Sequence, residues 1–478
     1  MGSPSFQFLS FAFVAVLAYH LHRSAAWRQT MLLAANLLFL ASFSQGAWSF
    51  VPFAAFVILG YGALQWIRAF PRFSFPLILV ATIAIFAWLK KYAFVPGSLF
   101  LEFPYVTVGL SYILFRLLHL MVDTHTGVLR ERIPVVSYFN YALNFTTLVS
   151  GPIQPYRDYS EMQASAAAFR LSVPATLSAI ERIVAGLFKV NILALLASIW
   201  HTRALEALGA PLPMSWKIFQ GAAVMVSYPI FLYCNFSGYI DVVIGIGQLL
   251  GFTLPENFNR PFSSDNFINF WSRWHITLSN WLKTYVYNPL QLELMRRFPS
   301  PSLEAVWIAL ALFVTFSLVG IWHGQTSEFV FFGFLQGFGV SANQVYRSLL
   351  KKRMGRKRFK TLSSNRYYVA VSRGFTFSWF TFTLLWFWSN WAQLRAIRAA
   401  FNGVAEFGVW LTIFAGSTLL LNAWEAARAR ILAIQFDGIP MVHSPYWRMA
   451  QSVALVVVVL GVTLLMNQPG PEIVYQAF

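Results

Sequence analysis

The sequence predicts an all-α polytopic membrane protein, and three observations carry that prediction. Hydrophobic residues make up 58% of the 478 and charged residues 11%, against about 45–50% and ~25% in a soluble domain. The aromatic load, 18 Trp, 19 Tyr and 48 Phe, suits lipid-facing helices and interfacial belts better than one soluble core. The length accommodates about a dozen spans of ~20 residues joined by short loops. An ordinary cytosolic globular protein, a disordered chain and a coiled coil are excluded on composition. A net charge of +18 raises the question of nucleic acid. In so apolar a chain it is better explained by basic loops facing an anionic leaflet, with no nucleic-acid partner. The single cysteine, Cys234, excludes an internal disulfide framework and a Cys-based metal site.

The apolar run Phe6 to Leu21 has no basic flank before it and no small-residue cleavage site after it, so it reads as a first span or signal anchor. Further runs lie at about 30–44, 48–67, 75–95, 106–122, 177–200, 216–233, 303–322, 328–350, 368–389, 409–425 and 447–466. Several are interrupted by glycine and polar residues. The expectation is about 11–13 transmembrane helices, with re-entrant and interfacial pieces, in one integral membrane domain over 1–478. Its C-terminal spans fall within 366–466. Seven of the ten residues in Lys351–Lys360 (KKRMGRKRFK) are Lys or Arg, which places that stretch on the cytoplasmic side. Arg130 with Arg132, and Arg23 with Arg28, mark two more such loops. Lys90 and Lys91 break simple alternation, as expected if some segments re-enter without crossing.

From Asn235 to Leu290 the chain is dense in polar groups although strongly apolar runs flank it. Asp241 lies in an apolar stretch, where an acid is costly and faces the bundle interior. It reads as a structural acid paired with an arginine. Gly245, Gly247 and Gly251 allow close helix packing, and Pro255, Asn257, Asn259 and Pro261 read as a loop. Residues 266–287 read as one amphipathic helix: Trp271, Trp274, Leu278, Trp281, Leu282 and Tyr285 fall near i, i+3, i+4, i+7 spacing, which would suit the membrane interface. A second anomaly is Ser317–Gly324 (SLVGIWHG) at the end of an apolar run. It sets His323 at or just inside the end of a span. A neutral imidazole can act as a base near physiological pH, and the small neighbours Gly320 and Gly324 would let a substrate come close. His20, His22, His119, His125, His201 and His443 read as interfacial, helix-end or loop residues. Zinc spacings, a serine-hydrolase elbow, a phosphate-binding loop and a dinucleotide fingerprint are missing.

These residues together resemble a known family. The block at 268–290 resembles the signature of the membrane-bound O-acyltransferases, and GIWHG at 320–324 resembles their histidine motif. Residues 236–262, LVSGPIQPYRDY at 148–159 and VGLSYILFRLLHLMVDTHTG at 108–127 look like upstream motifs of the bacterial branch, which includes the alginate O-acetylation and teichoic-acid D-alanylation proteins. The resemblance covers about 105–340. The chain departs from the pattern after Pro289-Leu290, where QLELMRRFPS replaces a glycine- and basic-rich turn, and at Gln325, where a small residue is usual.

The resemblance implies a multi-pass enzyme of a bacterial inner membrane. It would move an acyl group, in the first reading acetyl, from a cytosolic thioester such as acetyl-CoA or an acyl-carrier thioester to a hydroxyl. The acceptor would be an exported cell-envelope polysaccharide or a periplasmic relay protein, and a periplasmic or extracellular acyltransferase would be its partner. It implies no bound cofactor and no metal. His323 would be the essential catalytic residue and His275 a second, with substrate positioning as its role. Arg273, Trp274, Asn280 and Trp322 are the candidate substrate-binding residues. D-alanyl transfer to a wall polymer and lipid or protein acylation stay open. A non-enzymatic transporter would fit the polar midsection but would need ionisable residues along a path, and the chain has 17 acids in all.

Overall fold

The computed structural model describes residues 5–44, 46–436 and 439–466, and it is 79% helical. Strand among the described residues is confined to the two-residue pair Gln435–Phe436 and Ile439–Pro440. Among the described residues, six helices are long and apolar enough to cross a membrane: Trp48–Ala69, Val173–Leu208, Met214–Leu250, Glu304–His323, Gly403–Ala433 and Pro445–Thr463. Two shorter apolar helices, Phe6–His20 and Ser74–Leu89, accompany them. The larger sequence expectation counted apolar runs, and several of those runs fold as helices too short or too polar to qualify. Two compact units are distinguishable among the described residues, one within 5–187 and 236–256, the other within 188–235 and 257–466.

The first unit holds α1 (Phe6–His20), α2 (Ala25–Ala41), α3 (Val51–Ala69), α4 (Pro71–Leu89), α5 (Leu110–His125), α6 (Val135–Ala142), α7 (Tyr156–Ala168) and α8 (Val173–Phe188) as far as Leu187. Ser5 and Ser24 start the first two helices by accepting hydrogen bonds from the backbone N–H groups of Phe8 and Trp27, the usual remedy for the open donors of a first turn. Helix α5 is packed inside the protein: twelve of its sixteen residues are buried. Arg116 within it donates to the carbonyls of Tyr141, Ala142 and Thr147 at 3.0, 2.7 and 3.0 Å and to Thr147 Oγ1 at 2.6 Å. His119 accepts from Tyr156 N–H at 3.1 Å through Nε2, so Nδ1 carries the proton and donates to the Phe115 carbonyl at 3.2 Å. Two motifs far apart in sequence are thereby tied into one scaffold, and His119 is structural.

Asp241 is paired with arginine, as expected for an acid in an apolar stretch. Arg182 Nε lies 3.2 Å from Asp241 Oδ1, and its two terminal nitrogens grip Glu256 at 2.7 and 2.6 Å. Arg182→Ala is expected to cost more stability than Asp241→Ala. The first takes the guanidinium charge away from the largely buried Asp241, whereas the second leaves Arg182 bound to Glu256. Removal of one partner from a fully buried pair costs ~3–5 kcal/mol. Asp241 keeps 16% exposure, so about half of that is expected, read as the difference in thermal unfolding of the two variants.

The second unit contains a π-helical turn (Lys189–Ala194), α9 (Leu195–Leu208), α10 (Met214–Leu250) up to Asn235, α11 (Phe267–Trp271), α12 (Ile276–Leu282), a second π turn (Lys283–Tyr287) and α13 (Asn288–Arg297). After these come α14 (Glu304–His323), α15 (Ser327–Ser363), α16 (Arg366–Thr383), α17 (Leu385–Trp388), α18 (Trp391–Ala399), α19 (Gly403–Ala433) and α20 (Pro445–Met466). His201 on α9 is accounted for by the Val224 carbonyl at 3.0 Å and the Trp388 ring at 4.7 Å. The basic stretch 351–360 is not an open loop. It continues α15, with one non-helical residue, Gly355, at φ 78° and ψ 157°, a conformation that a side chain would strain. Cysteines placed in 351–360 are expected to resist an impermeant thiol reagent in intact cells, and ready labelling would reverse the assigned orientation.

The α14–α15 hairpin is the backbone of the site. A Cβ on Gly320 would lie 2.2 Å from the Phe329 carbonyl oxygen and 2.4 Å from Gly333 Cα, and one on Gly333 would meet the Ser317 carbonyl oxygen at 2.3 Å. Gly324 is closed against the Phe329 ring, 2.0 Å from where its Cβ would be. The glycines around His323 therefore serve close helix packing, which corrects the reading that they make room for substrate. Gly333→Val is expected to cost about 1–3 kcal/mol by overpacking and to lower activity with it. A thermal melt unchanged from wild type would refute that packing role.

Candidate active site

The segment that carries the family-like signature is not one amphipathic helix. It breaks after Trp271, resumes at Ile276 and turns π-helical at Lys283. The break is held by long-range backbone pairing: Asn259 N–H donates to the Arg273 carbonyl at 2.9 Å and Ile276 N–H to the Asn257 carbonyl at 3.0 Å. His275 sits at the break in the left-handed region, φ 45° and ψ 53°, which is uncommon outside glycine and asparagine and marks a position fixed by its surroundings. The periodic aromatic residues point to a buried core. Trp271, Trp274, Leu278 and Leu282 are each under 5% exposed. The segment expected as one interfacial helix is thus a broken, internal element.

The hydrogen bonds of Asn257 define the state of His275. Thr277 N–H and Thr277 Oγ1 both donate to Asn257 Oδ1, at 3.1 and 2.9 Å, so that atom is the carbonyl oxygen and can only accept. His275 Nδ1, 3.3 Å from the same oxygen, must then carry the proton. Its Nε2 is left as the basic nitrogen. Asn257 is fully buried and joins the candidate site residues through these bonds, whereas the sequence reading set it only in a loop. The signal available was a polar asparagine in a loop between apolar runs, with no local pattern to single it out.

His323 ends α14 and is 3% exposed. Its ring lies 4.4 Å from that of Trp322, 5.0 Å from Phe387 and 6.0 Å from Phe332, a mostly aromatic enclosure. Trp322 also meets His275 edge-on at 6.0 Å. The indole therefore stands against both imidazoles. His275, Trp322 and His323 are brought together by the fold. The other three candidates are not gathered with them. Trp274 packs in an aromatic cluster with Phe258, Phe270 and Phe380 at 5.1, 5.7 and 5.1 Å, which makes it an anchor of the break. Arg273 is half-buried and contributes its carbonyl to Asn259. Asn280 lies on the exposed face of α12.

Helices long and apolar enough to cross a membrane, with two histidines buried against one tryptophan, one at a helix end and one at a helix break, define a multi-pass membrane protein. The family model for MBOAT, the membrane-bound O-acyltransferase family, matches residues 98–387, more than half of the chain, and the chain belongs to that family. It is 27% identical over 282 residues to the teichoic acid D-alanyltransferase of Bacillus subtilis, covering 58% of this chain and 67% of that one. It is 28% identical over 236 residues to a probable alginate O-acetylase, AlgI, of Pseudomonas syringae, covering 49% and 42%. A peptidoglycan O-acetyltransferase of Helicobacter pylori is 36% identical over 138 residues, 29% of this chain and 25% of the relative. The matches thus span from a quarter to two-thirds of these relatives' lengths.

Proposed function

We propose that this protein transfers an acyl group, acetyl in the first reading, from a cytosolic thioester to a hydroxyl on an exported cell-envelope polysaccharide or on a periplasmic relay protein, across a bacterial inner membrane. The observation that carries the proposal is the convergence of His323 and His275 on Trp322 in a buried enclosure, within a chain of this family. In the reaction the hydroxyl oxygen attacks the thioester carbonyl carbon, the carbon–sulfur bond breaks, and the hydroxyl proton passes to His323 and on to the departing thiolate. His275, with Nε2 basic and Nδ1 held by Asn257, accepts a hydrogen bond from a neighbouring hydroxyl of the acceptor and so orients the attacking one, whose own proton goes to His323. Orientation of this kind lowers the barrier by prepaying entropy.

The test is reconstituted protein supplied with labelled acetyl-CoA or with a D-alanyl carrier thioester, since relatives of both chemistries match at 27–28% identity. Label from acetyl-CoA should reach a hydroxyl acceptor. Transfer only from the D-alanyl donor would replace acetyl with the second reading, and transfer from neither donor would defeat the proposal. With polymer as the sole acceptor, product is expected to stay low until a soluble periplasmic acyltransferase is added. Efficient modification by the lone protein would count against the relay.

A further inference from the structure

The second unit contains a cavity of about 510 Å³ between α15, α16 and the start of α11, well within the range of small-ligand sites. It is separate from the histidines. Asn343 in its wall is sixteen residues along α15 from Ser327, about 24 Å at 1.5 Å per residue. Its interior is mostly apolar, with Phe338, Phe375, Trp379 and Phe414 among the lining residues. Two buried polar atoms of its lining residues, Asn343 Oδ1 and Trp379 Nε1, have no hydrogen-bond partner among the described residues.

One end of the cavity is strongly basic. Phe359 lines it and is itself buried, and the cations of Arg347 and Lys351 lie 6.0 and 5.3 Å from its ring centroid. Phe359 follows the non-helical Gly355, so the basic stretch is folded against the cavity's own wall. From Arg347 to Lys360 the chain carries eight cations and no acid, and none of these cations forms an ion pair with a described residue. Uncompensated positive charge beside an apolar cavity matches an amphiphile with an anionic head and a hydrocarbon tail.

We infer that this cavity is a specific site for an anionic phospholipid of the leaflet facing the basic stretch. The acyl chain would occupy the aromatic interior and the phosphate would lie between Arg347 and Lys351. The site is independent of acyl transfer, and its test does not read activity.

The experiment is native mass spectrometry of the full-length protein exchanged into detergent with equimolar phosphatidylglycerol and phosphatidylcholine. Wild type should retain phosphatidylglycerol with about a thirtyfold preference, about fivefold for each of the two cations at the head group. Arg347→Ala with Lys351→Ala should bring the preference to near parity. Ala342→Trp, which fills the cavity from α15, should remove retention of both lipids. Each variant is checked for an unchanged melting profile in lipid-free detergent, and Val371→Trp, on α16, replaces any variant that fails. Equal retention of the two lipids by wild type would overturn the inference. So would a preference that survives the double variant but is lost in Arg356→Ala with Lys357→Ala and Arg358→Ala, since that assigns the selectivity to diffuse surface charge. Displacement of the lipid by coenzyme A would overturn it too, by assigning the cavity to the soluble donor.

Discussion

His323→Ala is expected to abolish acyl transfer while the protein still inserts, folds and binds its donor. The imidazole ends α14 inside an enclosure of Trp322, Phe332 and Phe387. Truncation there removes a proton acceptor without touching the Gly320–Gly333 packing that holds the hairpin together. Positioned proton transfer contributes about 10²–10⁴-fold, and it acts mainly in the transition state. Turnover should therefore fall by that factor with donor affinity nearly unchanged. The measurement is donor binding and single-turnover transfer in nanodiscs. Near-wild-type turnover from His323→Ala would end its catalytic assignment. A parallel loss of donor affinity would make it a binding residue instead.

The second large effect separates His275 from His323. If His275 orients the hydroxyl, His275→Ala should reduce transfer less than His323→Ala, and His275→Gln or His275→Asn should recover part of it by restoring a hydrogen bond. Asn257→Ala is the sharper probe because it leaves both histidines in place. It removes the acceptor that sets the His275 proton on Nδ1 and also serves Thr277. Loss of such a buried bond costs ~1–3 kcal/mol, which at 1.36 kcal/mol per decade is about 10–100-fold in rate. Asn257→Asp keeps an acceptor at the same place and should retain more activity than the alanine. Complete and equal loss in the His275 and His323 variants, with folding intact and no rescue by Gln or Asn, would make the two histidines one catalytic unit.

The sequence by itself determined the class of protein, because lipid solvation imposes a composition that no soluble core shares. It also pointed to His323, which the GIWHG motif set at a span end, and to the pairing of Asp241, since an unpaired acid among apolar residues is too costly to keep. These properties are local or compositional. The tertiary structure decided what depends on distant partners. The periodicity of 266–287 predicts one helix and cannot register that the 257–259 loop pairs across 273–276, nor that His275 is held at positive φ. The glycines beside His323 look the same in sequence whether they admit a substrate or a neighbouring helix, and only the approach of α15 separates the two. Asn280 was set in the site by its place in the motif, yet helix α12 turns it to the exposed face. Asn257 gains its role from hydrogen bonds to residues 18 and 20 positions away. No local pattern encodes such contacts, because they come into being only when the chain closes its loops and the packed interior leaves one arrangement open.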